Sequence, residues 1–246
     1  MAQNAKGKPT APRKSHSSPI RLLSLGAITV LLIAVIAILV NVDQHLEDYA
    51  LFDPKDLQAI AHRAINAHGA GVGNGNYSDG NLSKVMDAII VDLEQKYGPN
   101  HINRDPEWVF NNAGGAMGAM HILHASVTEY LIIFGTPLGT EGHTGRFLAD
   151  DWFCILQGEQ WAFSPGGLEK EVYLPGDSHH LARGKAKQYK MHEGCFALEY
   201  ARGWIPSMMF FGFADTFSST LDFETLYVTI KLTVMGIFKE LTQGKF

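Results

Sequence analysis

Between Leu22 and Val40 the chain carries only apolar or small side chains and no charge. At ~1.5 Å of rise per residue a helix over this run is roughly 28 Å long, the thickness of a hydrocarbon core. A buried core helix and a cleaved signal peptide give similar runs. This one is longer than a usual signal core, and Asn41-Val42-Asp43 follow it instead of a small-x-small cleavage site. The reading is a retained transmembrane anchor over residues 21–42. Lys6, Lys8, Arg13, Lys14 and Arg21 precede it with no acid among them, and Asp43, Glu47 and Asp48 follow. The positive-inside rule then puts the N-terminus in the cytosol and the body in a lumen. Residues 1–20, rich in Ser, Pro, Lys and Asn, have no apolar periodicity and are expected to be a disordered tail.

A lumenal body gives meaning to Asn76-Tyr77-Ser78 and Asn81-Leu82-Ser83, two glycosylation acceptor tripeptides in a Gly/Asn-rich loop. Cys154 and Cys195 could pair in an oxidising compartment, but two cysteines make no disulfide framework; free buried thiols are the slightly favoured reading. The formal net charge of -5 leaves no basic footprint for phosphates, which argues against nucleic acid as a partner.

Past the anchor, 246 residues leave enough chain for one domain with its own core. Asp53-Pro54 reads as an N-cap and a first-turn proline, followed by Leu57, Ile60, Ala61, Ala64 and Ile65 at helical spacing up to Gly69. Ser83 can cap a second helix, with Val85, Ile89, Leu93 and Tyr97 on one face and Gly98-Pro99 at its end. This helical lead-in spans 43–105. From Trp108 onward, short β-branched and aromatic runs alternate with turn clusters at Gly139 to Gly145, Ser164 to Gly167 and Pro175-Gly176, the pattern of a sandwich or small barrel over 106–205. The NAGGAMGAM stretch, Asn112 to Met120, reads as a tight backbone crossing. Beyond Pro206, over 206–246, Met208 to Phe213 and then Phe223, Leu226, Tyr227, Ile230, Val234, Ile237 and Phe238 form helices with a wide apolar stripe. Neither is long enough to span, so they are read as lying on or in the membrane surface; packing wholly on the barrel is the alternative.

Acids in apolar surroundings are the sharpest chemical signal. Glu199 sits mid-strand in FALEY, and Asp150-Asp151 precede Trp152, Phe153, Ile155 and Leu156. Two such carboxyls facing one apolar cavity cannot both ionise cheaply and would share a proton. The bland alternative pairs Glu199 with Arg202 or Arg146 and leaves the Asp pair at an exposed strand end. His121 with His124, and His179 with His180, lack the spacing of a zinc site, so no metal is expected. No Gly-rich phosphate loop and no nucleophile elbow are present.

WVFNNAGGAMGAMHILHASVTEYLIIFGTPLGTEGHTGR (Trp108 to Arg146) and FALEYARGWIPSMMFFGFADTFSSTLDF (Phe196 to Phe223) resemble the family of fungal ergosterol-pathway sterol C-8 isomerases and the animal sigma-1 receptor. EGHTGRFLADDWFCILQG, the HHLARGKAKQY stretch at His179 to Tyr189 and the terminal Lys245-Phe246 lean toward the isomerases. The resemblance implies a mainly β chain with α-helices: a cupin-like β-barrel with a buried pocket, closed by C-terminal membrane-associated helices and assembled as a homotrimer at the endoplasmic reticulum membrane. It implies no cofactor and no metal. By position, the receptor's ligand-binding glutamate falls on Glu199, and pocket-lining residues fall on Met120, Ile122, Tyr130, Ile132, Phe134 and Met208. The receptor's partner aspartate aligns without a gap to Phe153, a further pocket position here; Asp150 and Asp151 stand just before it. A shift of two residues keeps the strand facing and so favours Asp151. The expectation is a sterol substrate whose double bond moves from C8–C9 to C7–C8, with Glu199 and Asp151 or Asp150 exchanging the protons. A non-enzymatic ligand-binding receptor or chaperone and a metal-dependent cupin oxygenase are the rivals.

Overall fold

A computed structural model describes residues 19–68, 79–105 and 107–246. They form two units, residues up to 45 and residues from 46 on. The first holds a single helix, α1 (Pro19–Gln44). Its segment Gly26–Gln44 has a mean hydropathy of 2.4 and no buried residue, and is the one helix among the described residues long and apolar enough to cross a membrane. The tail expected over 1–20 lies outside the described residues except for the first two positions of α1.

In the second unit, a short turn of helix α2 (Leu46–Tyr49) leads to α3 (Pro54–His68) and α4 (Asp79–Tyr97). Asp53 Oδ1 accepts from the Lys55 N–H at 2.7 Å, so the expected cap starts α3. Gly98, at φ +95°, ends α4 with its N–H on Glu94 O. α4 begins four residues before the expected cap at Ser83, so Asn81-Leu82-Ser83 lies in its first turn; Asn76 lies outside the described residues.

Ten antiparallel strands follow. They are β1 (Trp108–Ala113), β2 (Ala116–Ala125), β3 (Glu129–Thr136), β4 (Thr140–His143), β5 (Ala149–Gln157), β6 (Gln160–Phe163), β7 (Glu171–Tyr173), β8 (Ser178–Leu181), β9 (Gln188–Met191) and β10 (Cys195–Gly203). One sheet runs β1-β2-β3-β10-β5-β8 and the other β4-β9-β6-β7. The turn cluster at 139–145 contains the short strand β4, because Thr140 to His143 finds a partner in β9. Gly114 and Gly115, at φ +63° and +84°, join β1 to β2 by the two-residue turn that needs positive φ at both positions. A side chain at Gly118 would meet Gly135 O at 2.7 Å, so the glycine-rich stretch is both a hairpin and a close backbone approach.

Alternation sorts the large sheet into two faces. Leu131, Ile133, Cys154, Leu156, Leu198 and Tyr200 point outward and pack under Leu57, Ile60, Ile89 and Leu93 of α3 and α4. Met120, Ile122, Ile132, Phe134, Phe153, Ile155 and Ala197 point inward, joined by Met191 of the small sheet. Cys154 and Cys195 are free, one in each of these cores, and burial pushes both thiols up to about 12.

The chain then forms α5 (Ile205–Asp215), a π turn at Thr216–Thr220 and α6 (Phe223–Thr242). α5 packs on β1, and α6 on β1 and β2. α6 is amphipathic in the reverse of the usual sense. Its buried residues are Thr229, Thr233 and Glu240, while Tyr227 is 67% and Phe238 69% exposed.

Behind α6 the chain is clasped to the barrel. Glu129 is fully buried, accepts from the N–H groups of Leu51 and Phe52 and from the Tyr200 hydroxyl at 2.6 Å, and pairs with Lys245 Nζ at 2.7 Å. Burial alone would raise its pKa; Lys245 and these donors hold it below the usual range. Glu129→Gln strands a largely buried ammonium, so it should cost about 3 kcal/mol or more and lower the melting temperature by roughly 6–12 °C. A depressed carboxylate stabilises only above its unfolded pKa. The deficit against wild type, followed by thermal unfolding, should therefore shrink as pH falls below about 5.

Candidate active site

Glu199 lies in the middle of β10, where each neighbouring strand fixes what stands beside it. Ile132 of β3 is opposite on one side and Phe153 of β5 on the other, with His179 of β8 across from Phe153. Ala201, two residues on and on the same face, is opposite Tyr130 of β3 and Asp151 of β5. Asp151 and Tyr130 are thus the diagonal neighbours of Glu199, with Cβ atoms roughly 7 Å away. The methyl groups of Ala197 and Ala201 leave the space beside the acid open.

These inward faces enclose a cavity of about 200 Å³. Met120, Tyr130, Ile132, Phe134, Phe153 and Met208 line it together with Glu199 and Asp151, as the sequence led one to expect. Ile122 belongs to the core behind this wall and does not line the cavity. Asp150 points to the other face of β5: its Oδ1 stands 2.8 Å from His180 Nε2 and accepts from the Arg183 N–H at 3.2 Å. The alternative pairing of Glu199 with an arginine is absent, because Arg202 pairs with Glu47 at 3.0 Å and Arg146 donates to Gly184 O.

Both cavity carboxyls are starved of water and of cations. Burial raises the pKa of Glu199 to about 7. Burial, then the charge of Glu199, then that of Asp150 raise Asp151 well above the carboxylate range. Asp151 Oδ1 is buried with no hydrogen-bond partner among the described residues. The pair is therefore reluctant to carry two negative charges and holds a proton near neutral pH.

Several lining residues have no signal in the periodicity: Tyr189 from β9, Gln160 from β6, His179 from β8, and Leu226 and Thr229 from α6. His179 shares a hydrogen bond with Gln160 Oε1 at 2.8 Å, and burial lowers its pKa to about 4, so its ring is neutral. The adjacent histidines diverge, His179 inward and His180 onto Asp150, while His121 and His124 are on the sheet's outer side near Glu107 O and His101 O. Among the described residues no three His, Cys, Asp or Glu side chains converge as a metal ion would need.

The family model "ERG2 and Sigma1 receptor like protein" matches residues 28–245. A protein of Aspergillus fumigatus named "C-8 sterol isomerase erg2" is 56% identical over 204 residues, 83% of this chain and 81% of its own. "Sigma non-opioid intracellular receptor 1" of Gallus gallus is 42% identical over 154 residues, 62% of this chain and 69% of its own. A solved RmlC-like cupin from Shewanella frigidimarina superposes on 42% of this chain and 90% of its own at 14% identity, with a TM-score of 0.36. A match over nearly the whole length, in a chain with a cavity built on an acid pair, places this protein in the ERG2 and Sigma1 receptor like family.

Proposed function

We propose that this protein is a sterol isomerase that moves a ring double bond from C8–C9 to C7–C8, using Glu199 and Asp151 as its proton donor and acceptor. The observation that carries the proposal is the pair of inward carboxyls on adjacent strands of an apolar cavity, both with raised proton affinity. An unactivated olefin is a weak base. Only an acid whose proton is present at neutral pH, in a place where water cannot compete, will protonate it usefully.

The protonated member of the pair gives its proton to C9. The C8–C9 π electrons form the new C–H bond, and positive charge develops at C8. The carboxylate left behind stabilises that cation in a dry site, where a fixed charge acts far more strongly than in water. The C7–H bond then breaks, its electrons form the C7–C8 double bond, and the pair takes up the released proton. The cycle is redox-neutral. Met120, Ile132, Phe134, Phe153 and Met208 supply the apolar wall that a sterol needs. Asp150, committed to His180 on the opposite face, is given no proton-transfer role.

The exposed apolar side of α6 supports lipid contact, and α1 supports a membrane anchor. Residence in the endoplasmic reticulum with a lumenal body follows from the cationic residues before α1 and the acids after it. A homotrimer rests on the family resemblance alone.

Purified protein given an 8-ene sterol should yield the 7-ene isomer by gas chromatography. Glu199→Gln and Asp151→Asn should each lower kcat at least about 100-fold, the scale of lost general acid–base catalysis, whereas Asp150→Asn should stay within about threefold. Glu199→Gln should melt no lower than wild type. A buried acid with a raised pKa subtracts from stability as pH rises past its unfolded value near 4.5, and the amide does not. The pH profile of kcat/KM should show its optimum in the window where the pair holds one proton. That window opens near pH 7, where Glu199 ionises, and closes higher, where the second proton leaves. A flat profile through that window would remove the pair from the reaction.

A further inference from the structure

α6 buries threonines where a helix on a barrel normally buries leucines, and one of them touches the wall of the site. Thr229, Thr233 and Glu240 fall on one face, at steps that bring them round under the helix. Thr233 is 3% exposed, and its Oγ1 lies 3.3 Å from the hydroxyl oxygen of Tyr130. Less than a turn later Gly236 lets the helix press onto β2: a Cβ there would come within 3.0 Å of Ala125 Cβ. The position of the Thr233 hydroxyl is therefore set by backbone packing, not by a mobile side chain.

Tyr130 is the diagonal neighbour of Glu199 on the inward face. The methyl of Ala201 beside it does not obstruct its phenol. A phenol has one proton to give and oxygen lone pairs to receive. When Thr233 donates to the phenol oxygen, the phenol's own proton is free to turn toward the acceptor on that face, the carboxyl of Glu199. We propose that Thr233 is a positioning residue: from α6 it fixes the Tyr130 hydroxyl, and through that hydroxyl the carboxylate that Glu199 becomes after giving up its proton. The proposal rests on Glu199 as a proton-transferring group. It makes the docking of a lipid-facing helix a condition for full activity of an acid inside the barrel.

Glu199 is faced by Asp151 from β5, Tyr130 from β3 and Tyr189 from β9, with neutral His179 beyond Phe153 on β8 and the uncharged Thr229 on α6. Burial, and then the charge of Glu199, hold the Tyr130 phenol above its ordinary pKa. Tyr130 therefore stays a donor throughout the working range.

Thr233→Val keeps the side chain's shape and removes the hydroxyl. It should lower kcat about five- to tenfold, the worth of one hydrogen bond in a buried site, with KM within twofold. Losing a donor to the carboxylate makes ionisation harder, so the limb of the pH profile near 7 should move to higher pH. Thr233→Ser should restore both quantities. In a Tyr130→Phe background, Thr233→Val should change kcat less than twofold. Equal losses in both backgrounds, or no rescue by serine, would mean that the threonine only packs, and the inference would be overturned. A second readout is independent of turnover: the infrared carboxyl band assigned to Glu199 by its loss in Glu199→Gln. Its titration midpoint should rise in Thr233→Val and return in Thr233→Ser; an unmoved midpoint overturns the inference as well. Wild-type protein that converts no 8-ene sterol sinks the isomerase reading, whereas normal conversion with an unmoved midpoint sinks only the role of Thr233.

Discussion

Two carboxyl groups inside an apolar hollow cannot both be charged without a counter-ion, and the chemistry of this protein follows from that. Neither Glu199 nor Asp151 has a cation beside it; the nearest arginines are committed to Glu47 and to a backbone carbonyl. The sheet register produces the arrangement. A pairing of β5 with β10 shifted by one residue would turn Asp151 outward and Asp150 inward. The outward position carries a histidine partner and an N–H donor, so it suits a carboxylate that remains charged. The sequence Asp150-Asp151 is thus two acids with opposite tasks, separated by the pleat.

The helices after the barrel extend the same logic to the membrane. A helix that turns threonine and glutamate inward and phenylalanine and tyrosine outward would be unstable against water on both faces. It is stable between a polar-studded barrel wall and a lipid surface. Buried polar groups must then find partners, and they do: Glu240 lies 2.6 Å from His101 Nδ1, Thr233 meets Tyr130, and Lys245 beyond the helix meets Glu129. Each of these contacts joins a C-terminal residue to the barrel or its lead-in, so the cover of the cavity is held by specific polar pairs and not by apolar packing alone.

The sequence made the elements legible wherever a local rule decided them. Asp53-Pro54 and Gly98-Pro99 bracket helices because capping and φ preferences act over a few residues. The alternation in FALEY put Glu199 on the face opposite Phe196 and Leu198 before any partner strand was known. What pattern alone did not decide was register across strands distant in sequence. That is why Asp150 and Asp151 stood as equals beside Glu199, and why Ile122 was counted as lining the cavity when it lies behind it. Gln160, His179 and Tyr189 come from short strands of three β-elements that no periodicity reveals, and topology alone brings them together. Glu129 reads as an ordinary strand-end acid; its partner Lys245 is a hundred residues away, beyond the reach of any local signal.

The central claim is that the cavity keeps a carboxylic proton, exchangeable with solvent between turnovers, for delivery to a ring olefin. Turnover of an unlabelled 8-ene sterol in deuterium oxide, with the label located by mass spectrometry and NMR, tests it most directly. The account predicts one deuterium at C9 of the 7-ene product. A product with hydrogen from the substrate at C9 and no solvent label, formed at the normal rate, would contradict it.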